Sequence, residues 1–237
     1  MLKDIWALFV DQGWALALLR GAAVTVCIGL AGMMLGLTVA IPLAVLRWRQ
    51  MLVLSQFIDA YSIVVRSIPG LLVIYLMFFG SINWVRTVAE VFGYRQSIES
   101  IYPFIIGPIA IALISCAYSI EVIRGALEAI PKGLTEAAWA LALPPHIAFF
   151  RITLPLALRL ALGGINNVWQ MTIKDTSLIS VVGMQELMRV AAIAAGITRS
   201  PLLFYLIAAI LFFTITGVSQ MLFRRVEKSF NRGFTEG

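Results

Sequence analysis

The sequence predicts an all-α protein that is integral to a membrane and crosses it about five times. Of the 237 residues, 61% are apolar and 13% are charged, and the mean hydropathy is +0.94. These values lie outside the range of soluble domains. A helix needs about 20 apolar residues to cross a hydrocarbon core of about 30 Å. Five runs meet this length, at approximately 19–46, 52–79, 104–123, 154–173 and 202–223.

The two ends of the chain are predicted to lie on opposite sides of the membrane, because the number of spans is odd. Lys and Arg are more frequent at the span ends that flank residues 131–151 and 225–237 than at the opposite ends. Since basic residues favour the cytoplasmic side, we expect an outer amino terminus and a cytoplasmic carboxyl-terminal tail. This bias also accounts for the net charge of +6, so we expect no nucleic-acid partner.

Residues 1–18 form a separate segment before the transmembrane domain, which we place at 19–224. Trp residues and acids alternate in the segment, which favours a helix lying at the membrane interface. A short apolar core followed by small residues is missing, so we expect no removable signal peptide.

The first span carries Gly29, Gly32 and Gly36, separated by three and four residues. This spacing places small residues on one face of a helix, where a second helix can approach closely. We therefore expect the first span to pack inside the domain.

The second span is interrupted by Arg66-Ser67-Ile68-Pro69-Gly70. A charge and a broken helix at membrane depth are tolerated only against protein or a water-filled cavity. Arg66 and Ser67 are therefore candidates for lining a solute path, and the alternative is a structural kink whose Arg66 reaches the inner interface. Residues 80–103 are polar and aromatic and predict the longest outer loop.

The third span ends with Glu121 and Arg124, which are three residues apart on one helix face and can pair with each other or with neighbouring helices. We favour a structural role for this pair over substrate binding. Residues 131–151 follow as a short helix-favouring run with Glu136 near its start, closed by Pro144 and Pro145. This run is expected to lie outside the bilayer.

The fourth span has a polar density that is unusual at membrane depth. Amide, hydroxyl and indole groups that face lipid would lack hydrogen-bond partners, so we expect this row to face protein or water. The alternative is that these side chains serve only helix association. Residues 184–196 are too short to span and predict an outer gate or interface helix. The candidates for lining the path in the fourth span are Asn167, Trp169, Gln170, Asp175 and Thr176.

The sequence lacks the motifs that would predict an ATP-binding loop, a metal site or a disulfide. No Gly-x-x-x-x-Gly-Lys-Ser/Thr occurs, so we expect no ATP-binding loop in this chain. His146 is the only histidine, which argues against a multi-histidine metal site. Cys27 and Cys116 both lie in apolar spans and offer no metal or disulfide spacing.

Three motifs together resemble the permease subunits of binding-protein-dependent ABC importers. Glu136-Ala137-Ala138 is followed, after about a dozen residues, by Ile152-x-Leu154-Pro155, as in the cytoplasmic coupling loop of that family, known as the EAA loop. The run from Ala117 to Gly125 matches the family's Ala-Tyr-x-x-Glu-x-x-Arg-Gly. Asn166-Asn167-x-Trp169-Gln170 with Lys174-Asp175-Thr176-Ser177-Leu178 is similar to the subgroup that serves histidine, arginine, ornithine and opines.

The resemblance implies a type I ABC importer transmembrane domain in a bacterial inner membrane. It implies a second permease, related or identical, with two cytoplasmic ATPases that hold ATP and Mg, and an extracytoplasmic amino-acid-binding protein. The substrate would be a basic amino acid or an opine. Neutral or acidic amino acids, such as glutamine or glutamate, and an ATP-independent channel or a membrane scaffold are the alternatives.

The coupling loop carries one departure from the family pattern. The family has a Gly six residues after the Glu, where this chain has Ala142, which predicts a tighter helical turn. The residues that the resemblance assigns to ATPase coupling are Glu136, Ala137, Ala138, Leu141, Ala142, Pro144 and His146.

Overall fold

The fold is built from nine α-helices joined by short turns, in a computed structural model that describes residues 13–93 and 95–231. The predicted segment 1–18 and the tail 225–237 lie partly outside the described residues. In chain order the helices are α1 Trp14–Trp48, α2 Leu52–Ser67, α3 Gly70–Val91, α4 Arg95–Glu128, α5 Lys132–Ala140, α6 Pro145–Ala148, α7 Leu154–Asp175, α8 Leu187–Thr198 and α9 Pro201–Asn231.

Five helical segments are long and apolar enough to cross a membrane, within the part of the chain that the structure describes. They are Trp14–Trp48, Gly70–Val91, Ile101–Glu128, Pro145–Val182 and Pro201–Phe230. The fourth segment joins α6 and α7 through a π-helical turn at Phe149–Thr153 and ends in a 3₁₀ turn at Thr176–Val182. The prediction of an all-α membrane protein with five spans is confirmed.

The second span differs from its predicted boundaries of 52–79. Helix α2 ends at Ser67, and Ile68 is extended, with φ −89° and ψ 137°. This break has a local cause, because Pro69 disfavours helical backbone at the residue before it. The apolar segment that is long enough to cross begins at Gly70 and continues to Val91, so α3 and α4 occupy most of the region predicted as an outer loop. The turn between them includes Gly93, with φ +75°.

Helices α1 and α4 pack closely through the predicted glycine face. A Cβ at Gly32 would lie 2.5 Å from Ile111 Cγ2, and one at Gly36 would lie 2.9 Å from the Ala112 carbonyl oxygen. Both distances are shorter than van der Waals contact, so only glycine allows this separation of the two backbones. Gly29 contacts α7 instead, since its Cβ would lie 2.7 Å from Ile173 Cδ1.

A second apolar core joins the start of α1 to α8 and α9, including Leu18, Leu187 and Phe204. At its edge the Glu186 carboxylate is fully buried and accepts hydrogen bonds from the Thr25 hydroxyl, at 3.2 Å, and the Arg189 amide, at 2.8 Å. The Thr25 oxygen in turn accepts from the Leu187 amide, at 3.1 Å. Burial raises the pKa of Glu186 above the usual range of a glutamate. Helix α8 is too short to span the membrane. The hydrogen bonds of Thr25 with Glu186 and Leu187 connect it to α1.

Candidate functional site

The predicted coupling segment, residues 131–151, leaves the helical bundle between α4 and α7. Helix α5 ends in a pair of hydrogen bonds, from the Ala142 amide to the Trp139 carbonyl at 2.9 Å and from the Leu143 amide to the Ala138 carbonyl at 3.0 Å. This is a Schellman motif, which requires a left-handed residue after the helix. Ala142 takes that conformation, with φ +54°.

The expectation of a tighter helical turn at Ala142 is therefore wrong. Alanine adopts the backbone that a glycine would adopt there, at a cost of about 1–2 kcal/mol for a residue with a Cβ. Two hydrogen bonds to the end of α5 hold it in place.

The coupling segment presents an apolar surface with charged and polar neighbours. Leu141 is 74% exposed and Trp139 is 66% exposed. Exposed apolar groups clustered in this way are typical of a protein-binding surface. Of the residues assigned to coupling by sequence, Glu136, Ala137, Leu141, Ala142, Pro144 and His146 are exposed, and Ala138 is buried.

Ring contacts fasten the coupling segment to the end of α1. The Trp48 and Phe149 rings lie 6.3 Å apart between centroids, and the Arg49 guanidinium lies 5.6 Å from the centre of the Phe149 ring. Both are within the range of aromatic and cation–π contacts. These contacts connect the coupling segment to the residues at the end of α1.

Part of the polar row on α7 contacts other helices of the same chain. Trp169 is 5% exposed and packs with Met33 and Ile173. Gln170 donates a hydrogen bond of 3.4 Å to the Thr216 carbonyl on α9, and Thr176 is fully buried. These three residues contribute to helix association within the chain.

Two polar residues of α7, Asn167 and Lys174, lie on an exposed face of the helix. Asn167, Met171 and Lys174 are exposed and are spaced by four and three residues, so they share one helix face. Asp175 is partly buried beside them. Lys174 and Ser177 line a cavity of about 410 Å³ with Tyr205 of α9. Lys174 is not among the candidates that the sequence predicted for the path.

The break between α2 and α3 places Arg66 in an ion pair. Its Nη2 lies 3.2 Å from Glu121 Oε1 on α4, and its Nε donates to the Ser62 carbonyl at 3.1 Å. Ser67 is exposed at the break. The predicted pairing of Glu121 and Arg124 is confirmed, with Nη2 and Oε2 3.1 Å apart. The pairing of Arg66 with Glu121 was not predicted.

Comparison with known proteins assigns the chain to one family. The family model of the binding-protein-dependent transport system inner membrane component matches residues 18–232. The chain belongs to this family. The permease therefore is a transporter subunit integral to the inner membrane, and in ABC importers ATP hydrolysis takes place on separate subunits.

The relatives of this permease include characterised transport subunits. It is 42% identical to the nopaline transport system permease protein NocQ of Agrobacterium fabrum over 224 residues, which cover 94% of each chain. It is 40% identical to the octopine transport system permease protein OccQ of Rhizobium radiobacter, over 97% of this chain and 96% of the relative. It is 32% identical to the arginine ABC transporter permease protein ArtQ of Escherichia coli, over 89% and 93%.

Solved structures with the same fold support the assignment of the architecture. An amino acid ABC transporter crystallised with histidines has a TM-score of 0.79 at 23% identity, over 92% of this permease and 96% of that chain. The MetNI methionine ABC transporter in an inward-facing conformation has a TM-score of 0.75 at 17% identity, over 92% and 98%. At these identities the likeness establishes the transmembrane fold alone.

Proposed function

We propose that this permease imports a basic amino acid or an opine as part of an ATP-driven complex. The observation that carries the proposal is the similarity over almost the whole chain to permeases named for nopaline, octopine and arginine. Neutral or acidic amino acids, such as glutamine or glutamate, are the alternative substrates.

The complex would contain a second permease, two cytoplasmic ATPases and an external binding protein. A single chain with five spans does not easily enclose a solute path, whereas two chains related by a two-fold axis can do so along their interface. The exposed polar face of α7 supports such a pairing, because Asn167 and Lys174 are costly to leave against lipid. The amino terminus would lie outside and the carboxyl terminus in the cytoplasm.

The ATPases would dock on the coupling segment, where Glu136 is exposed between two exposed apolar positions, Leu134 and Trp139. Closure of the ATPases would then move the coupling segments as rigid bodies and exchange inward for outward access. ATP and Mg would be held by the ATPases.

The path would be lined or gated by residues of the helix break and of α7. Exposure supports Ser67 and Asn167 most directly for this role, and Asp175 follows Lys174, which lines the cavity. Trp169, Gln170 and Thr176 would act by holding α7 in place. Arg66 would act at the break, through its ion pair with Glu121.

The alternative to ATP-driven import is a membrane scaffold or an ATP-independent channel, and it differs from the proposal in the role of the polar groups on α7. The hydrogen bond from Gln170 to α9 and the burial of Trp169 would also be found if the polar groups of α7 served helix association alone. A scaffold would need no substrate and a channel no ATP. The two candidates therefore differ in whether uptake depends on ATP.

An uptake experiment in the native cell tests the proposal. Cells that lack this chain, and the same cells with the chain restored, are given labelled arginine, octopine or glutamine. We expect restoration of arginine or octopine uptake that stops when cellular ATP is depleted. Restored uptake of glutamine alone would support the alternative substrates. Uptake that is insensitive to ATP depletion, or unchanged by removal of the chain, would contradict the proposal.

A further inference from the structure

A cluster of five charged side chains joins α1, α2 and α4 close to the coupling segment. It consists of Arg47, Asp59, Arg66, Glu121 and Arg124, and is called the Glu121 cluster below. Arg47 pairs with both Asp59 and Glu121. The Glu121 carboxylate also contacts Arg66 at 3.2 Å and Arg124 at 3.1 Å. One carboxylate therefore receives three guanidinium groups from three different helices.

The centre of the cluster is largely shielded from solvent. The Arg47 side chain is 16% exposed and that of Glu121 is 18% exposed. Beneath them lies an apolar core that includes Ala44, Ile58 and Ile120. Ion pairs in such a site resist screening, and removing one member leaves the other charges uncompensated. The cluster is therefore expected to hold α1, α2 and α4 in a fixed arrangement.

The cluster is connected to the coupling segment by two routes. Arg47 precedes Trp48 and Arg49, whose side chains contact Phe149 of that segment. Glu121 and Arg124 lie on the last two turns of α4, which ends at Glu128, and α5 begins at Lys132. Movement of the coupling segment therefore reaches the cluster through α1 and through α4.

On its other side the cluster is connected to the break between α2 and α3. Arg66 lies two residues before the extended Ile68, and its guanidinium is held between Glu121 and the Ser62 carbonyl. Breaks of this kind can absorb the backbone rotation of a hinge. A shift of Glu121 would therefore pull on the residue next to the break.

We propose that the Glu121 cluster is a relay that transmits movement of the coupling segment to the helix break at 68–69, with Glu121 as the positioning residue. This inference rests on the proposed function, because it assumes ATP-driven movement of the segment. It adds a specific chain of contacts between the ATPase-docking surface and the candidate path. A purely structural cluster would stabilise the fold without affecting how much substrate moves for each ATP hydrolysed.

The test compares the ratio of substrate transported to ATP hydrolysed in the purified complex, reconstituted in liposomes with its binding protein and arginine or octopine. The variants are Glu121→Gln and, as matched control, Glu128→Gln. The Glu128 side chain is 53% exposed and pairs with Arg124 at 2.6 Å. Glu128→Gln leaves the Glu121 carboxylate unchanged, together with the contacts that it makes with Arg47 and Arg66.

We expect Glu121→Gln to hydrolyse ATP but to transport roughly two- to thirtyfold less substrate for each ATP, the range for residues that carry coupling between distant sites. Glu128→Gln should keep the wild-type ratio. Asp59→Asn provides a second variant if Glu121→Gln does not assemble, and it should lower the ratio in the same direction. Arg66→Gln combined with Glu121→Gln should lower the ratio no further than Glu121→Gln alone.

Equal losses of transport and ATP hydrolysis in Glu121→Gln, or an unchanged ratio, would overturn the relay. If neither Glu121→Gln nor Asp59→Asn assembles, the cluster is a folding element and the relay is likewise rejected. Failure of the proposed function looks different, because the wild-type complex itself would then show no ATP-dependent transport.

Discussion

Replacing Gly36 by alanine tests the close packing of α1 on α4 on which the transmembrane core depends. The added Cβ would lie 2.2 Å from Ser115 Oγ and 2.9 Å from the Ala112 carbonyl oxygen. The Ser115 hydroxyl lies within hydrogen-bonding distance of the Gly32 carbonyl, at 3.3 Å, and of the Ala112 carbonyl, at 3.2 Å, so rotating it away would break these contacts. The Ala112 carbonyl belongs to the backbone of α4, so the two helices must separate.

The size of the effect follows from this overlap. A Cβ that meets a backbone oxygen at 2.9 Å must retreat by several tenths of an ångström before it reaches ordinary contact. Overpacking of this kind costs about 1–3 kcal/mol, and the better helix propensity of alanine returns about 0.5–1 kcal/mol. We expect a net loss of about 1–2 kcal/mol, which for a chain of this size lowers the unfolding midpoint by roughly 2–8 °C.

The assay is thermal unfolding of the purified protein in one detergent, followed by tryptophan fluorescence. Gly217→Ala on α9 is the matched control, because no described atom outside the adjacent backbone of its own helix lies within 4 Å of a Cβ at that position. The control should unfold at or slightly above the wild-type midpoint. If Gly36→Ala unfolds together with the control, the helices are not packed as closely as described and the reasoning is refuted.

Two further substitutions test the ATPase-docking surface and the hydrogen bonds of Glu186 that connect α8 to α1. Glu136→Lys reverses a charge on an exposed helix turn, so it should abolish ATP-dependent uptake. The unfolding midpoint should stay within about 1 °C of the wild-type value, because the residue is exposed. Full uptake by this variant would exclude Glu136 from docking. Glu186→Gln keeps an oxygen that can accept the hydrogen bond from the Thr25 hydroxyl and removes the titratable carboxyl group. Since burial raises the pKa of Glu186, its carboxyl becomes neutral and the wild type gains stability as pH falls through that raised value. The unfolding midpoint of the wild type minus that of Glu186→Gln should therefore increase as the pH is lowered from 8 to 5. A difference that does not change with pH would show that Glu186 is not buried as described.

Features with a local cause were predictable from the sequence. The glycine spacing in α1 predicted a close helix contact, and Gly32 and Gly36 make it with α4. The break before Pro69 was predictable because proline acts on its immediate neighbour. Apolar length alone set the number of spans.

Features decided by distant partners were not predictable. Arg66 and Glu121 are far apart in sequence, and nothing local indicates that they form an ion pair. The burial of Trp169 depends on which face of α7 meets α1. The left-handed backbone of Ala142 depends on two hydrogen bonds to the end of α5, while the residue type favours a helix. In each case the missing information was the position of another segment.

The central claim is that this chain works as the membrane subunit of an ATP-driven importer. Its most direct test is gentle purification of the chain from its native membrane, followed by mass spectrometry of the proteins that remain bound. The account predicts a P-loop ATPase together with a second permease, and predicts that Glu136→Lys retains the permease but loses the ATPase. If the chain is recovered alone or only with itself, and ATP does not change uptake after reconstitution, the account is contradicted.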